Sequence, residues 1–359
     1  MIALSSPRTS SALLVVGALL PLLGLGELLR RRRRQRALNP AERTGLLRRR
    51  RPAEPAAPDG VVADDGARLH VEIDEVPGAP VTVVFVHGYT VQLHEFDPQR
   101  QALRGRARVV LYDQRGHGRS GWGDVRNATI TQLGKDLGAV LDRHAPTGPV
   151  VLVGHSLGGM TVLALARLRP DVFGSRVRGV FLLATSARDV LSGGLPGLLA
   201  RGLKRLGLLP AWLRWLRASA PVLERLRRRD TKLGYEYVRH FLFARGDEDE
   251  QLIRQVQRMV EQTPMTIAAA FYPTFFEHDE TAALPVLRTV PVTILVGDGD
   301  ETTPVRYSRE MADALGRGAE FIVVPGAGHS VNLTRPQIVD DALLRLIDRA
   351  VAHPSTATA

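Results

Sequence analysis

The sequence predicts an α/β domain, built on a mostly parallel, doubly wound sheet with a helical insertion. Three observations predict it. Short β-branched runs alternate with helical stretches along most of the chain. The alternation stops between about residues 187 and 287, where Leu and Arg dominate. A hydrophobic content of 44% over 359 residues suffices for one large domain with an inserted subdomain, and argues against disorder.

Strands are expected near residues 68–74, 81–86, 108–112, 150–153, 177–183, 292–296 and 320–324. Helices are expected near 131–144, 157–168, 306–315 and 336–351. The run from Arg68 to Asp74 alternates polar and apolar residues, as an antiparallel edge strand does. The last helix carries Ile338, Val339, Ala342, Leu343, Leu346 and Ile347 on one stripe, a face for the sheet. In the insertion, Leu198, Leu199, Leu203, Trp212, Leu213, Trp215 and Leu216 suggest helices that pack on the domain, most of them as ordinary core.

Gly154-His155-Ser156-Leu157-Gly158 sits between the strand run at 149–153 and the helix that follows. A serine between two glycines at a strand-to-helix turn is the nucleophile-elbow pattern. The glycines remove Cβ atoms that would collide in so tight a turn. The helix N-terminus behind the serine favours developing negative charge. A serine hydroxyl needs a base to take its proton and a carboxylate to orient that base. Asp300 follows the strand run Val292–Val296, and His329 follows Phe321–Val324, so both fall at the C-terminal edge of the sheet. Asp298 is an alternative carboxylate, and Asp189 a more remote one. The backbone N–H groups of Tyr89, after the strand run 81–86, and of Leu157 are candidates for an oxyanion hole. His87, His155, His117 and Asp113 read as loop-shaping residues, and His278 as a solvated or packed loop histidine, with a pocket-lining role as the alternative.

The chain resembles the α/β-hydrolase-fold serine hydrolases of the esterase and lipase type. The resemblance rests on His87-Gly88, the run from Asp113 to Ser120, Gly154 to Gly159, Gly297 to Pro304 and Gly328-His329, in the family's order across about residues 62 to 350. It implies Ser156 as nucleophile, His329 as base and Asp300 as acid. The family's frame of a glycine, two residues, the acid, three residues and a proline selects Asp300 over Asp298. It also implies a cap over the site at the helical insertion. Phe271, Tyr272, Phe275 and Phe276 near the end of that insertion are candidate pocket-lining residues, with Phe275 and Phe276 taken as substrate-binding. Relatives that open epoxides or remove halogens carry Asp at the elbow, and Ser156 argues against both chemistries.

The resemblance therefore leads to an esterase acting on carboxylic esters with an apolar acyl chain. The same triad also serves thioester, amide or C–C cleavage, and peracid formation. A membrane-tethered binding protein on a degenerate fold is the non-catalytic alternative. No cofactor is expected. His, Asp and Glu show no metal-ligand clustering, and there is no Cys. The Gly116–Gly121 turn leads into Trp122-Gly123-Asp124 and not a helix, which argues against nucleotide binding.

Residues 1–52 hold 12 Arg, no Lys and 2 Glu, so they carry ten of the chain's eleven surplus positive charges. An uncharged, mostly apolar run from Thr9 to Gly26 is followed by Glu27, Leu28 and Leu29, and then by Arg30–Arg34 and Arg36. That layout suggests an uncleaved membrane anchor with the enzyme on the cytoplasmic face. Nucleic acid ranks lower as a partner, because the Arg cluster abuts an apolar segment. The expected division is 1–60 as anchor, Arg-rich flank and Pro/Ala linker, and 61–186 with 288–352 as the core. Residues 187–287 would form the helical cap and 353–359 a disordered tail.

Overall fold

The computed structural model describes residues 60–189, 202–229, 231–247 and 249–353. The expected anchor and linker at 1–60, apart from Gly60, and the tail from 354 onward lie outside the described residues. Among the described residues, no helix is long and apolar enough to cross a membrane.

A short antiparallel hairpin, β1 (Val61–Val62) and β2 (Arg68–Leu69), opens the described chain. Seven strands then form the main sheet: β3 (Val71–Asp74), β4 (Thr82–Val86), β5 (Arg108–Tyr112), β6 (Val150–His155), β7 (Val177–Leu183), β8 (Val292–Gly297) and β9 (Ala319–Val324). Their order is β3-β5-β4-β6-β7-β8-β9. Edge strand β3 runs antiparallel to β5, and every other pairing is parallel. The expected single strand at 68–74 is broken at His70. Its N–H donates to the Ser120 side chain at 2.8 Å and not to a strand, while its C=O accepts the Asp113 N–H at 2.9 Å at the end of the β3–β5 ladder.

The longer helices are α1 (Asp97–Ala102), α2 (Ile130–His144), α3 (Leu157–Leu168), α4 (Leu209–Arg229), α5 (Thr231–Leu242), α6 (Glu250–Gln262), α7 (Met265–Phe271), α8 (Val305–Leu315) and α9 (Pro336–Ala352), and single helical turns lie at Thr274–Glu277, Leu284–Leu287 and Val331–Thr334. Thr129 caps α2, its Oγ1 accepting the Gln132 N–H at 3.1 Å. Strand residues alternate between two buried layers. Val84, Val110, Leu152, Leu182 and Ile294 pack with Leu137 and Leu141 of α2, Leu163 of α3 and Met311 of α8. Val83, Phe85, Val109, Val153, Phe181 and Leu295 pack with Leu343 and Leu346 of α9 and with Phe96 and Leu103. Both sheet faces are thus covered, which is why the parallel strands read as unbroken apolar runs. Each fully buried Val, Leu or Phe contributes about 1.5–3 kcal/mol relative to exposure.

Between β7 and β8 the described residues form helices joined by turns and loops and no strand, apart from one isolated bridge between Arg188 and Asp279. Residues 202–228 are the described part of a second compact unit, which holds nearly all of α4. Within it, Arg227 and Arg228 pair with Glu224 one turn back, at 2.8 and 2.7 Å. Helices α5 to α7 belong with the sheet domain. Val238 of α5 packs with Ile253, Val256 and Met259 of α6, and this cluster includes Val91 and Leu333.

Candidate active site

Ser156 begins α3 in a left-handed conformation, φ 52° and ψ −116°. Such backbone costs about 1–3 kcal/mol and persists only where the surroundings enforce it. Here the surroundings are glycine contacts. A Cβ on Gly158 would stand 1.9 Å from the Val86 carbonyl oxygen, and one on Gly154 2.6 Å from that of Gly158. The Ser156 N–H donates to Leu183 O at 3.0 Å, and its carbonyl accepts Thr185 Oγ1 at 2.7 Å. The side chain is therefore presented beyond the carboxyl end of the sheet's central strand.

Two further loops meet at the same edge. A Cβ on Gly297 would lie 2.1 Å from Ala327 O, so the turns after β8 and β9 are in direct backbone contact. Asp300 Oδ1 accepts the N–H groups of Thr302 and Thr303, both at 2.8 Å. Its Oδ2 accepts Thr303 Oγ1 at 2.8 Å and faces His329 Nδ1, also at 2.8 Å. Burial alone would raise the Asp300 carboxyl, but His329 and the Thr303 contacts outweigh it and hold the group below its ordinary range. A proton on His329 Nδ1 leaves Nε2 as the basic nitrogen. Asp298 is turned elsewhere, accepting the Gly326 N–H at 2.7 Å. Asp189 carries an exposed carboxylate 3.8 Å from Arg188.

The structure thus brings Asp300 and His329 together, and sets His329 beside the elbow. The rings of His155 and His329 lie 4.9 Å apart. Among the described residues, no hydrogen bond runs from the Ser156 hydroxyl to the His329 ring, whose Nδ1 is held by Asp300. Such links commonly tighten only when substrate binds. Leu157 opens α3, so its N–H points out of the helix N-terminus. Tyr89 lies three residues past the end of β4, whose last residue, Val86, touches Gly158.

The Tyr89 ring is tied to α7 and the turn that follows it. Its hydroxyl donates to Ala268 O at 2.6 Å and its ring lies 5.1 Å from that of Phe275. Thr263 Oγ1 donates to Thr90 O at 2.9 Å. Of the two phenylalanines, Phe275 meets the Tyr89 ring, while Phe276 makes an edge-to-face contact with Tyr272 at 5.6 Å. The C-terminal carbonyls of α5 reach the other loops. Phe241 O accepts Thr302 Oγ1 at 2.7 Å, and Leu242 O accepts the Ser330 N–H at 2.8 Å. A Cβ on Gly328 would stand 2.4 Å from Ala244 N.

Polar residues beneath the site hold it up. His87 is neutral: its Nε2 accepts the Gln114 N–H at 2.8 Å, and its Nδ1 then donates to Gly88 O at 2.8 Å. Asp113 accepts the N–H groups of Leu93 and Arg119, and Arg115 is buried between Asp65 and Asp136. His278 is buried with Nε2 2.9 Å from Ser186 O. Glu95, which the sequence did not single out, lies 3.0 Å from His155 Nδ1. Among the described residues, no group of His, Asp and Glu could hold a metal ion. An open cleft of about 270 Å³, lined by Ser186, Arg188, Leu284, Tyr307 and Glu310 among others, includes neither Ser156 nor His329.

Residues 83–342 match the model of the alpha/beta hydrolase family, and the chain belongs to that family. A non-heme haloperoxidase from Rhodococcus erythropolis is 30% identical to it, over 80% of this chain and 98% of its own. Among solved structures, a thermophilic esterase from Thermogutta terrifontis superposes with a TM-score of 0.62 at 24% identity, covering 81% of this chain and 98% of its own. The enol-lactonase from Burkholderia xenovorans LB400 gives the same TM-score and identity over 80% and 99%. These two likenesses concern the fold.

Proposed function

We propose that the chain is a serine hydrolase that cleaves carboxylic esters with an apolar acyl group. The observation that carries the reading is the Asp300–His329 pair, 2.8 Å apart, beside a serine held at φ 52° by glycine contacts. Ser156 Oγ attacks the ester carbonyl as His329 Nε2 takes its proton. The N–H groups of Tyr89 and Leu157 receive the oxyanion, each worth about 3 kcal/mol of barrier. His329 then passes the proton to the departing alcohol, and an acyl-enzyme remains. Water deprotonated by His329 attacks that acyl group and releases the acid. Asp300 holds the imidazole in the required tautomer throughout. The aromatic contact between Tyr89 and Phe275 supports an apolar acyl group.

A serine-reactive fluorophosphonate tests this directly. The folded wild type should be labelled, and Ser156→Ala and His329→Ala should not. Labelling that survives Ser156→Ala would sink the assignment. A second reading, peracid formation, draws support from the haloperoxidase relative. In it, hydrogen peroxide replaces water as the acceptor of the acyl group. Peracid yield from an acetate ester and peroxide, against hydrolysis alone, separates the two.

A further inference from the structure

Glu95 and His155 are both buried, 3% and 4% exposed, and neither has a role in the mechanism above. Glu95 Oε1 accepts the Gly88 N–H at 2.7 Å, one residue before Tyr89. Its Oε2 lies 3.0 Å from His155 Nδ1. His155 Nε2 lies 3.1 Å from the backbone oxygen of His329. A carbonyl only accepts, so Nε2 carries a proton; Nδ1 faces a carboxylate and carries the other. The ring is then an imidazolium, wedged against the Gly88 backbone, where a Cβ would stand 3.0 Å from Nδ1. Asn332 Nδ2 donates to Glu95 O at 2.8 Å, and Gln99 Nε2 to Asn332 O at 3.1 Å, which anchors the turn that carries the carboxylate.

Replacing a buried ion pair by apolar side chains of the same volume is often neutral or stabilising, so this one calls for another explanation. Its contacts supply it. One carboxylate and one imidazolium link the oxyanion loop, the elbow and the loop of the base. We infer that Glu95 and His155 are positioning residues for the proposed hydrolysis, a brace that fixes the oxyanion donors and the elbow against the His329 backbone. The inference rests on the reading of Ser156 and His329 given above. Burial pushes the His155 ring down, but the charge and hydrogen bond of Glu95 outweigh it and leave the ring above its ordinary value. Misplacement by a fraction of an ångström acts on the transition state more than on substrate binding.

The test is burst kinetics with a p-nitrophenyl ester on the full chain. Burst amplitude counts competent folded sites, and the burst rate constant reports acylation. Glu95→Ala and His155→Leu should each slow the burst about 10- to 100-fold, with KM little changed. Glu95→Gln still offers an acceptor to Gly88 and an N–H to a neutral His155, and should recover most of the rate. If Glu95→Ala fails to fold, His155→Gln, which keeps the side-chain volume, carries the same expectation of a slowed burst. Wild-type burst rates with only reduced amplitude would overturn the inference and leave the pair a role in fold stability alone. So would Glu95→Gln as slow as Glu95→Ala, since charge and not contact would then matter. Absence of fluorophosphonate labelling in the wild type would instead overturn the hydrolase reading, and the inference with it.

Discussion

The two sides of the site are built by different physics. On the elbow side, Gly154 and Gly158 press backbone against backbone, and Ser156 is held in a strained conformation with no charged partner of its own. On the acid–base side, position comes from hydrogen bonds and charge: Asp300 has four polar partners, and His329 is placed by its side chain and its carbonyl alike. The first side rests on steric contact around one strained residue. The second has close backbone contacts of its own, at Gly297 and Gly328, and adds to them a carboxylate and an imidazole whose donors and acceptors must match.

The most direct way to break this contrast is to add one methyl group. Gly158→Ala would drive a Cβ into the Val86 carbonyl and should destabilise the fold by about 4 kcal/mol or more. Urea denaturation checks it, and an unchanged midpoint would mean the elbow is not sterically determined. An isosteric change on the other side should spare the fold and cost activity. Asp300→Asn should lower kcat about 10³- to 10⁴-fold, by favouring the wrong histidine tautomer. Circular dichroism should stay native, and Asp298→Asn should leave kcat unchanged, because that carboxylate serves only the turn at Gly326.

A third carboxylate sharpens the electrostatic half. Asp340 is half-buried with the Gln99 amide as its side-chain partner, and burial pushes it up to about 6, aided by the neighbouring Asp341. A folded-state value above the unfolded one favours the protonated form on folding. That contribution is present below the unfolded value and is lost as pH rises through about 6. Asp340→Asn should therefore stabilise the protein at pH above 7, by about 1 kcal/mol after allowance for solvent screening, and should do little at acidic pH. Unfolding midpoints at the two pH values decide it. Asp300, with an imidazole beside it, has the opposite sign: its stabilisation is present above the unfolded value and fades as acid protonates it.

Much of this was legible in the chain itself. Every expected parallel strand is present within two residues of its expected bounds, and the stripe on α9 faces the sheet through Val339, Leu343 and Leu346, whereas Ile338, expected on the same stripe, is exposed. Strand β6 runs two residues past its β-branched core because Gly154 and His155 still pair with Leu182 and Leu183. Propensity ends there and the ladder does not. The choice between Asp298 and Asp300 could not be made from strand ends alone. Asp298 still bonds backbone to backbone with Val324, and only two residues later does the chain reach His329. Helix α1 and the turn before it were missed, since Glu95 and Gln99 are buried polar residues that hydropathy reads as surface. The Glu95–His155 pair was missed with them. The expected anchor at 1–60 lies outside the described residues.

The end of α5 has a consequence for redesign. Its last carbonyls, Phe241 and Leu242, are spoken for by Thr302 and Ser330, and Ala244 seats the glycine before His329. A chimera that swaps this insertion for that of another hydrolase would remove those acceptors and loosen the histidine it meant to keep. The workable seam lies just beyond, at the exposed turn where Gly246 adopts φ 85°. Residues 241–244, though carried by the insertion, belong with the loops that hold Asp300 and His329.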